Sequence, residues 1–295
     1  MLDKLINLSF SYFRKLPREK ALRKGQKIGN LLYFLNYRKD VVEKNLSIAF
    51  PDRDKTWRDY IRKKSLQNIG RILAEFPRQL DYVKSGTIKD IVEIEKGTEL
   101  LENIKKTGGI IVTGHISNWE MCGVGISYYI KGLTSLAYRQ RNEKVNRIIT
   151  EIREKSGIKI IYHDQPLKYF LNALKNKEVI SFLVDQNALR HRGYFVDFFG
   201  LKASTVNFPA KLVAKYDVPI LFAYIYFNEE NTKYYINVES IDYQKGSTEE
   251  ETAYNVTQAY TKKVEEAVKK HPDQYLWVHK RWKTRENEEL EKIYW

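Results

Sequence analysis

The sequence predicts an α/β fold: a single domain with a central, largely parallel sheet flanked by helices, plus N-terminal amphipathic helices. Three observations lead there. Short apolar runs of strand length recur at Gly109–Thr113, 134–138, Ile158–Tyr162, 179–184 and 219–227. Helical patterns separate most of them, and strands alternating with helices imply a sheet covered on both faces. No repeat, low-complexity tract or Pro/Gly/Ser linker interrupts the 295 residues, and with 43% hydrophobic residues one continuous core can form.

Taken in order, residues 2–16 carry Leu2, Leu5, Ile6, Phe10, Phe13 and Leu16 near helical spacing, with Lys4, Arg14 and Lys15 between them. Arg18, Lys20, Arg23, Lys24 and Lys27 follow, and a second pattern runs Ala21, Gly25, Ile28, Leu31, Leu32, Leu35. Such a pair can lie in a bilayer interface or pack on the core as ordinary helices. The membrane reading divides the chain into 1–36, amphipathic membrane-associating helices, and 37–295, an α/β domain. A long helix is expected over 54–76, with Trp57, Ile61, Ser65, Asn68, Ile69, Ile72 and Phe76 on its inner face. Residues 234–241 read as a further strand. Residues 248–270 read as a closing helix, with Glu249–Glu251 at its start, Lys269 and Lys270 at its end, and Pro272 beyond.

Composition narrows the function classes. The 51 Lys and Arg against 37 Asp and Glu give a net charge of +14. That surface suits a polyanion: nucleic acid, anionic lipid or an acidic carrier protein. No apolar run approaches the roughly 18–20 residues that span a bilayer, and the N-terminus lacks a signal-peptide cleavage pattern. Cys122 is the single cysteine, so no intramolecular disulfide or cysteine-built metal site can form. Walker, Gly-x-Ser-x-Gly and Gly-x-Gly-x-x-Gly motifs are missing from the sequence, which weakens nucleotide-hydrolase, serine-hydrolase and dinucleotide-enzyme readings.

Ligands of open α/β sheets bind beyond the carboxyl ends of the strands. There the sequence puts Gly114-His115-Ile116-Ser117-Asn118-Trp119-Glu120, then Arg139-Gln140-Arg141, then Asp185-Gln186-Asn187. A histidine can take a proton from a hydroxyl near neutral pH, and a carboxylate can hold its tautomer. Five positions apart on one helix, His115 and Glu120 would diverge by about 140°. They meet only if His115 lies on the incoming loop. Ser117-x-x-Glu120 has the form of a capping box, which supplies such a helix start and also a purely structural use for Glu120. His163, His191, His271 and His279 show no metal-site spacing. Arg139 and Arg281 suit phosphate or carboxylate recognition or a surface ion pair, and Asp185 suits a site residue or a turn cap. Phe195, Val196, Phe198 and Phe199 can line an apolar pocket or fill the core. Ser204 or Thr205 is expected to cap the next helix, with Pro209 in its first turn.

The Gly114–Glu120 stretch resembles the H-x4-D/E signature of glycerolipid acyltransferases, in the form found in the bacterial lipid A late (lauroyl/myristoyl-type) acyltransferase family. The likeness continues through residues 42–51 (VEKNLSIAFP), Tyr138-Arg139, Asp185-Gln186 and Phe198-Phe199-Gly200 with Ala203 and Thr205. It ends with residues 274–285 (QYLWVHKRWKTR). Ser117 stands where many relatives have glycine, and relatives often begin with a hydrophobic anchor that residues 2–16 are too short and charged to match.

The resemblance implies transfer of a fatty acyl chain from an acyl carrier protein or acyl-CoA thioester to a hydroxyl of a membrane glycolipid. A lipid A precursor is the expected acceptor and a mannosylated phosphatidylinositol the alternative. It implies His115 as general base with Glu120 as its partner, Asn118, Arg139, Asp185 and Arg281 as substrate-binding residues, and no metal or organic cofactor. Attachment is expected to be peripheral, on the cytoplasmic face of the inner membrane. Two readings of another class compete. One is a basic nucleic-acid-binding protein using Arg190-His191-Arg192 and residues 280–285; the other is a catalytically silent glycolipid-binding scaffold. No nucleic-acid partner is expected if the acyltransferase reading holds.

Overall fold

The computed structural model of the protein describes residues 2–287 and 292–294, with side chains in the first helix from Ile6 onward. Leu2, Lys4 and Leu5, three of the side chains expected to meet a membrane, therefore lie outside the described side chains. Three helices open the chain: α1 (Leu2–Lys15), α2 (Arg18–Phe34) and α3 (Lys39–Ala49). The expected long helix is α4 (Lys55–Glu75), begun by Asp54, whose side chain accepts a hydrogen bond from the Trp57 amide. A short 3-10 turn, Phe76–Arg78, leads to α5 (Gln79–Ser85) and α6 (Ile88–Ile91).

Strands and helices then alternate through β1 (Val92–Lys96), α7 (Thr98–Thr107), β2 (Gly109–Thr113), α8 (Trp119–Ile130) and β3 (Leu133–Ala137). They continue through α9 (Glu143–Lys155), β4 (Ile158–Tyr162), α10 (Leu167–Lys175) and β5 (Val179–Leu183). A hairpin of β6 (Gly193–Phe198) and β7 (Leu201–Val206) precedes α11 (Phe208–Tyr216). The last elements are β8 (Ile220–Asn228), β9 (Lys233–Ser240) and α12 (Glu249–Lys270), before a C-terminal segment without long elements.

Seven strands form one sheet in the order β1-β9-β8-β2-β5-β3-β4. All neighbours are parallel except β8 and β9, which pair antiparallel. The apolar runs at the centre, Ile110–Val112 and Val179–Phe182, are buried on both faces, as a parallel sheet between two helical layers requires. Val112, Phe182 and Phe222 meet α12 and α11 on one side, while Ile111, Met121 and Ile126 belong to the core on the other.

One local expectation is corrected. Ser204 and Thr205 do not cap a helix; they lie in β7, paired with Phe195 and Tyr194. Asn207 precedes α11, with Pro209 in the first turn but no side-chain cap bond. Val196 and Phe198 are fully buried in the core, so the stretch after Phe195 packs the hairpin against α12.

The N-terminal helices pack on the rest of the chain. Phe13 is buried with Ala21 and Ala74, and Phe10 meets Phe76 edge-to-face at 6.0 Å. Both had been expected among lipid acyl chains. α2 lies against α4 through glycines: a Cβ at Gly25 would sit 2.5 Å from the Gly70 carbonyl oxygen, and one at Gly29 would sit 2.3 Å from Gln67 Cα. The two backbones touch. On an exposed helix, Gly29→Ala would stabilise by about 1 kcal/mol through helix propensity. Here urea denaturation should show the opposite sign, a loss of about 1–3 kcal/mol from overpacking.

Candidate active site

The site follows from strand register. β2 and β5 are parallel neighbours with Thr113 opposite Leu183, and the Val184 amide extends the ladder to the Thr113 carbonyl at 2.9 Å. Two residues beyond each strand end stand His115 and Asp185, so the register brings them together at the carboxyl edge of the sheet. His115 Nδ1 lies 2.7 Å from Asp185 Oδ1, and the Asp185 side chain is only 2% exposed. Burial pushes the Asp185 carboxyl up, but His115 and the nearby Arg281 guanidinium more than offset it and hold it below its ordinary range. An ionised carboxylate only accepts, so Nδ1 carries a proton, and in a neutral imidazole Nε2 is then the basic nitrogen. Gln186 Nε2 lies 3.2 Å from that Nε2, and Trp119 packs edge-on against the imidazole at 4.7 Å.

Glu120 has a different partner from the one expected. Its carboxylate takes both arms of Arg153 in α9, Nε at 3.0 Å and Nη2 at 2.5 Å. His115 is on the incoming loop, as a meeting with Glu120 would require. Even so, Glu120 is the second residue of α8 and turns toward α9, while Asp185 occupies the imidazole. The capping box does not form. The cap is Asn118, whose Oδ1 accepts from the Met121 amide at 3.2 Å, one residue later than Ser117-x-x-Glu120 implies. Ser117 cannot take that role because its φ is +49°, in the left-handed region that glycine adopts at least cost. Its hydroxyl is buried without a partner.

The loop is clamped by the C-terminal segment. The Ser117 amide donates to the Gln274 carbonyl at 2.7 Å and the Leu276 amide to the His115 carbonyl at 3.1 Å. Asn68 of α4 donates to the carbonyls of Ser117 and Gln274. Arg281 is buried and donates to Ser204 O at 2.8 Å and Thr205 Oγ1 at 2.5 Å; it braces β7 and lends positive potential to Asp185. Burial pushes His279 down to about 4, so it is neutral and accepts the Asn187 amide through Nε2 at 3.0 Å. Arg139 is 51% exposed, paired with the equally open Asp164 and stacked on Tyr162. Of the four expected substrate-binding residues, Asp185 joins His115, Asn118 caps the adjoining helix, Arg281 braces from behind, and Arg139 stays at the surface.

His115, Trp119, Glu120, Arg153 and Gln186 all line one cavity of about 830 Å³. One arm of it runs between the sheet and α8. Its walls are alternate strand residues, Ile111 and Thr113, Leu133 and Ser135, Ile158 and Ile160, facing Cys122, Gly123 and Ile126. Burial pushes the Cys122 thiol up to about 12, which makes it inert wall. Gln140, Gln165, Asn187, His191 and Arg192 make the rim polar. Among the described residues no cluster of His, Cys, Asp and Glu could hold a metal ion.

Sequence reasoning missed the His115–Asp185 contact and Trp119, Arg153 and Gln186 as site residues. The first was recoverable only with the strand order. Ser117→Gly should raise stability by about 1 kcal/mol, since it removes left-handed strain and an unpartnered buried hydroxyl. Thermal unfolding checks the sign, and turnover should stay within about twofold because no Ser117 side-chain bond holds His115.

Residues 2–284 match the family model described as bacterial lipid A biosynthesis acyltransferase. A lipid A biosynthesis acyltransferase of Haemophilus influenzae is 24% identical over 252 residues, 83% of this chain and 76% of that protein. The lipid A biosynthesis palmitoleoyltransferase of Escherichia coli K12 is 25% identical over 270 residues, 88% of this chain and 84% of its own. A phosphatidylinositol mannoside acyltransferase of Mycolicibacterium smegmatis is 26% identical over 160 residues, 52% of each chain. With a family match across nearly the whole chain and an imidazole held by a buried carboxylate over a deep cavity, this chain belongs to the bacterial lipid A biosynthesis acyltransferase family and is an acyltransferase.

Proposed function

We propose that this chain moves a fatty acyl group from an acyl carrier protein or CoA thioester to a hydroxyl of a lipid A precursor. The observation that carries this reading is the His115–Asp185 pair opening onto a cavity with a long apolar arm. His115 Nε2 takes the proton of the acceptor hydroxyl as its oxygen attacks the thioester carbonyl. Asp185 supports the imidazolium, and His115 then protonates the departing thiolate. The acyl chain occupies the arm beneath α8. Glu120, held by Arg153 in the same cavity, keeps a part in the proposal as an acceptor for a substrate hydroxyl beside His115. The lipid A acceptor is favoured over a mannosylated phosphatidylinositol because the family model that matches residues 2–284 is that of lipid A biosynthesis acyltransferases.

The nucleic-acid reading loses part of its surface, because Arg281 and Trp282 are buried. Purified protein given acyl carrier thioester and lipid A precursor should yield an acylated product by mass spectrometry. His115→Ala and Asp185→Asn should each lower turnover on the order of 10²–10⁴-fold. Glu120→Gln should cost less. A larger loss in Glu120→Gln than in Asp185→Asn would restore the His115–Glu120 pairing.

The proposed attachment is peripheral, at the cytoplasmic face of the inner membrane. No helix of the described residues is long and apolar enough to cross a bilayer. With Phe10 and Phe13 packed inward, the support comes from the outer face of α2. There Lys20, Lys24, Lys27, Leu31, Phe34 and Leu35 recur at helical spacing and are exposed, Phe34 by 81% and Leu35 by 64%. Basic residues near an anionic surface contribute about 1 kcal/mol each, and the apolar end can insert. Leu31→Ser/Phe34→Ser/Leu35→Ser should abolish flotation with anionic vesicles while leaving activity on detergent-dispersed acceptor within about twofold. Undiminished flotation would move the contact elsewhere.

A further inference from the structure

A buried polar chain leads from the N-terminal helices to the helix beside His115. Glu75, at the end of α4, is fully buried. Arg18 of α2 donates to its Oε1 at 2.8 Å and also to the Thr232 carbonyl. The Tyr234 hydroxyl of β9 donates to its Oε2 at 2.5 Å. Asn118 Nδ2 lies 3.4 Å from that same hydroxyl oxygen, and Asn118 Oδ1 caps α8.

Each link has a direction. The carboxylate can only accept, so Tyr234 must donate to it. Burial and Glu75 push the Tyr234 phenol well above its ordinary range, and it stays a donor. Its oxygen is then free only to accept, which turns the Asn118 NH2 toward it and the Asn118 carbonyl toward the Met121 amide. A reversed chain would aim NH2 at the helix N-terminus, where the free amides need an acceptor and not a second donor. The Met121 amide and the Tyr234 oxygen thus select the same orientation of the Asn118 amide.

We propose that Tyr234 and Glu75 are positioning residues, acting through Asn118 to fix the N-terminus of α8 and with it the loop that carries His115. Arg18 keeps the chain polarised, so docking of α2 is built into the catalytic geometry. The kinetic part of this inference rests on the acyl transfer proposed above; the structural part does not. The exposed stripe of α2 and the half-buried Arg18 then sit on one helix, one side toward a lipid surface and the other toward the site.

Tyr234→Phe and Glu75→Gln test it in the full-length protein. The glutamine NH2 would donate to Tyr234 and reverse the chain; the phenylalanine would cut it. The Met121 amide should exchange with solvent at least about tenfold faster in both variants. kcat should fall at least about tenfold with KM for either substrate within twofold. The double variant should lose no more than the worse single, since the residues act as one unit. Tyr294→Phe removes another buried hydroxyl, held by Asn45 and the Trp282 amide, and serves as control: it should lower thermal stability without changing Met121 exchange. Unchanged Met121 exchange in Tyr234→Phe, additive losses in the double variant, or an equal exchange change in Tyr294→Phe would each overturn the proposal. If the wild-type protein transfers no acyl group but Met121 exchange responds as stated, the proposed function fails and the positioning chain stands.

Discussion

The parallel pairing of β2 with β5 is the constraint on which the site depends. Opposite residues in a parallel ladder stay opposite past the strand ends, so Thr113 against Leu183 commits His115 to Asp185. Neither residue needs a motif of its own for this. The pairing also explains why a charge is tolerated so deep in the fold. Asp185 is screened from water, but the imidazole accounts for one oxygen, and the buried Arg281 supplies positive potential from behind. Removing either partner would leave an uncompensated buried charge, a loss of several kcal/mol. Arg281 therefore matters to the site without touching a substrate. That is also a physical reason for the length of the C-terminal signature: Gln274 and Leu276 hold the loop, His279 holds Asn187, and Arg281 braces Asp185 and β7.

Much of the fold was legible in the residues themselves. Strand-length apolar runs mark β2, β5 and β8 because those central strands are buried on both faces, and hydrophobicity then maps directly onto position. α4 and α12 were legible because each has an inner face at helical spacing and a capping residue at its start, Asp54 and Thr248. β1 was not, because it is an edge strand whose Glu93, Glu95 and Lys96 face outward. The hairpin of β6 and β7 was hidden for a different reason. Ser204 and Thr205 look like cap residues, but long-range pairing with Phe195 and Tyr194 overrides that local preference.

The candidate site was half legible. Position beyond the strand ends selected His115, Asn118, Glu120 and Asp185 from the sequence. Their pairing was not available, because H-x4-E spacing describes proximity along the chain and the strand order was unknown. Moving the cap from Ser117 to Asn118 rotates Glu120 toward Arg153. A single residue with φ of +49° thus separates two pairings that look equivalent in sequence. Arg139 was not decided by the sequence because an arginine after a strand is equally suited to a ligand and to a surface aspartate, and Asp164 lies within reach.

The N-terminal pair shows that core packing and an exposed amphipathic stripe do not exclude each other. α2 has both. Its glycine face admits α4 at backbone contact, which no side chain larger than hydrogen allows, while its opposite face exposes a basic-to-apolar stripe. The division at residue 36 follows a change in sequence pattern, yet buried contacts cross it freely: Phe13 and Ala21 share a core with Ala74, and Arg18 shares an ion pair with Glu75. A helix attached only by apolar contact could slide at little cost. One tied by a buried ion pair has a single register, because any displacement strands Glu75 without its cation in a region water does not reach. The surface that would meet lipid and the loop that carries His115 are therefore held in one fixed relation by the interior of the protein.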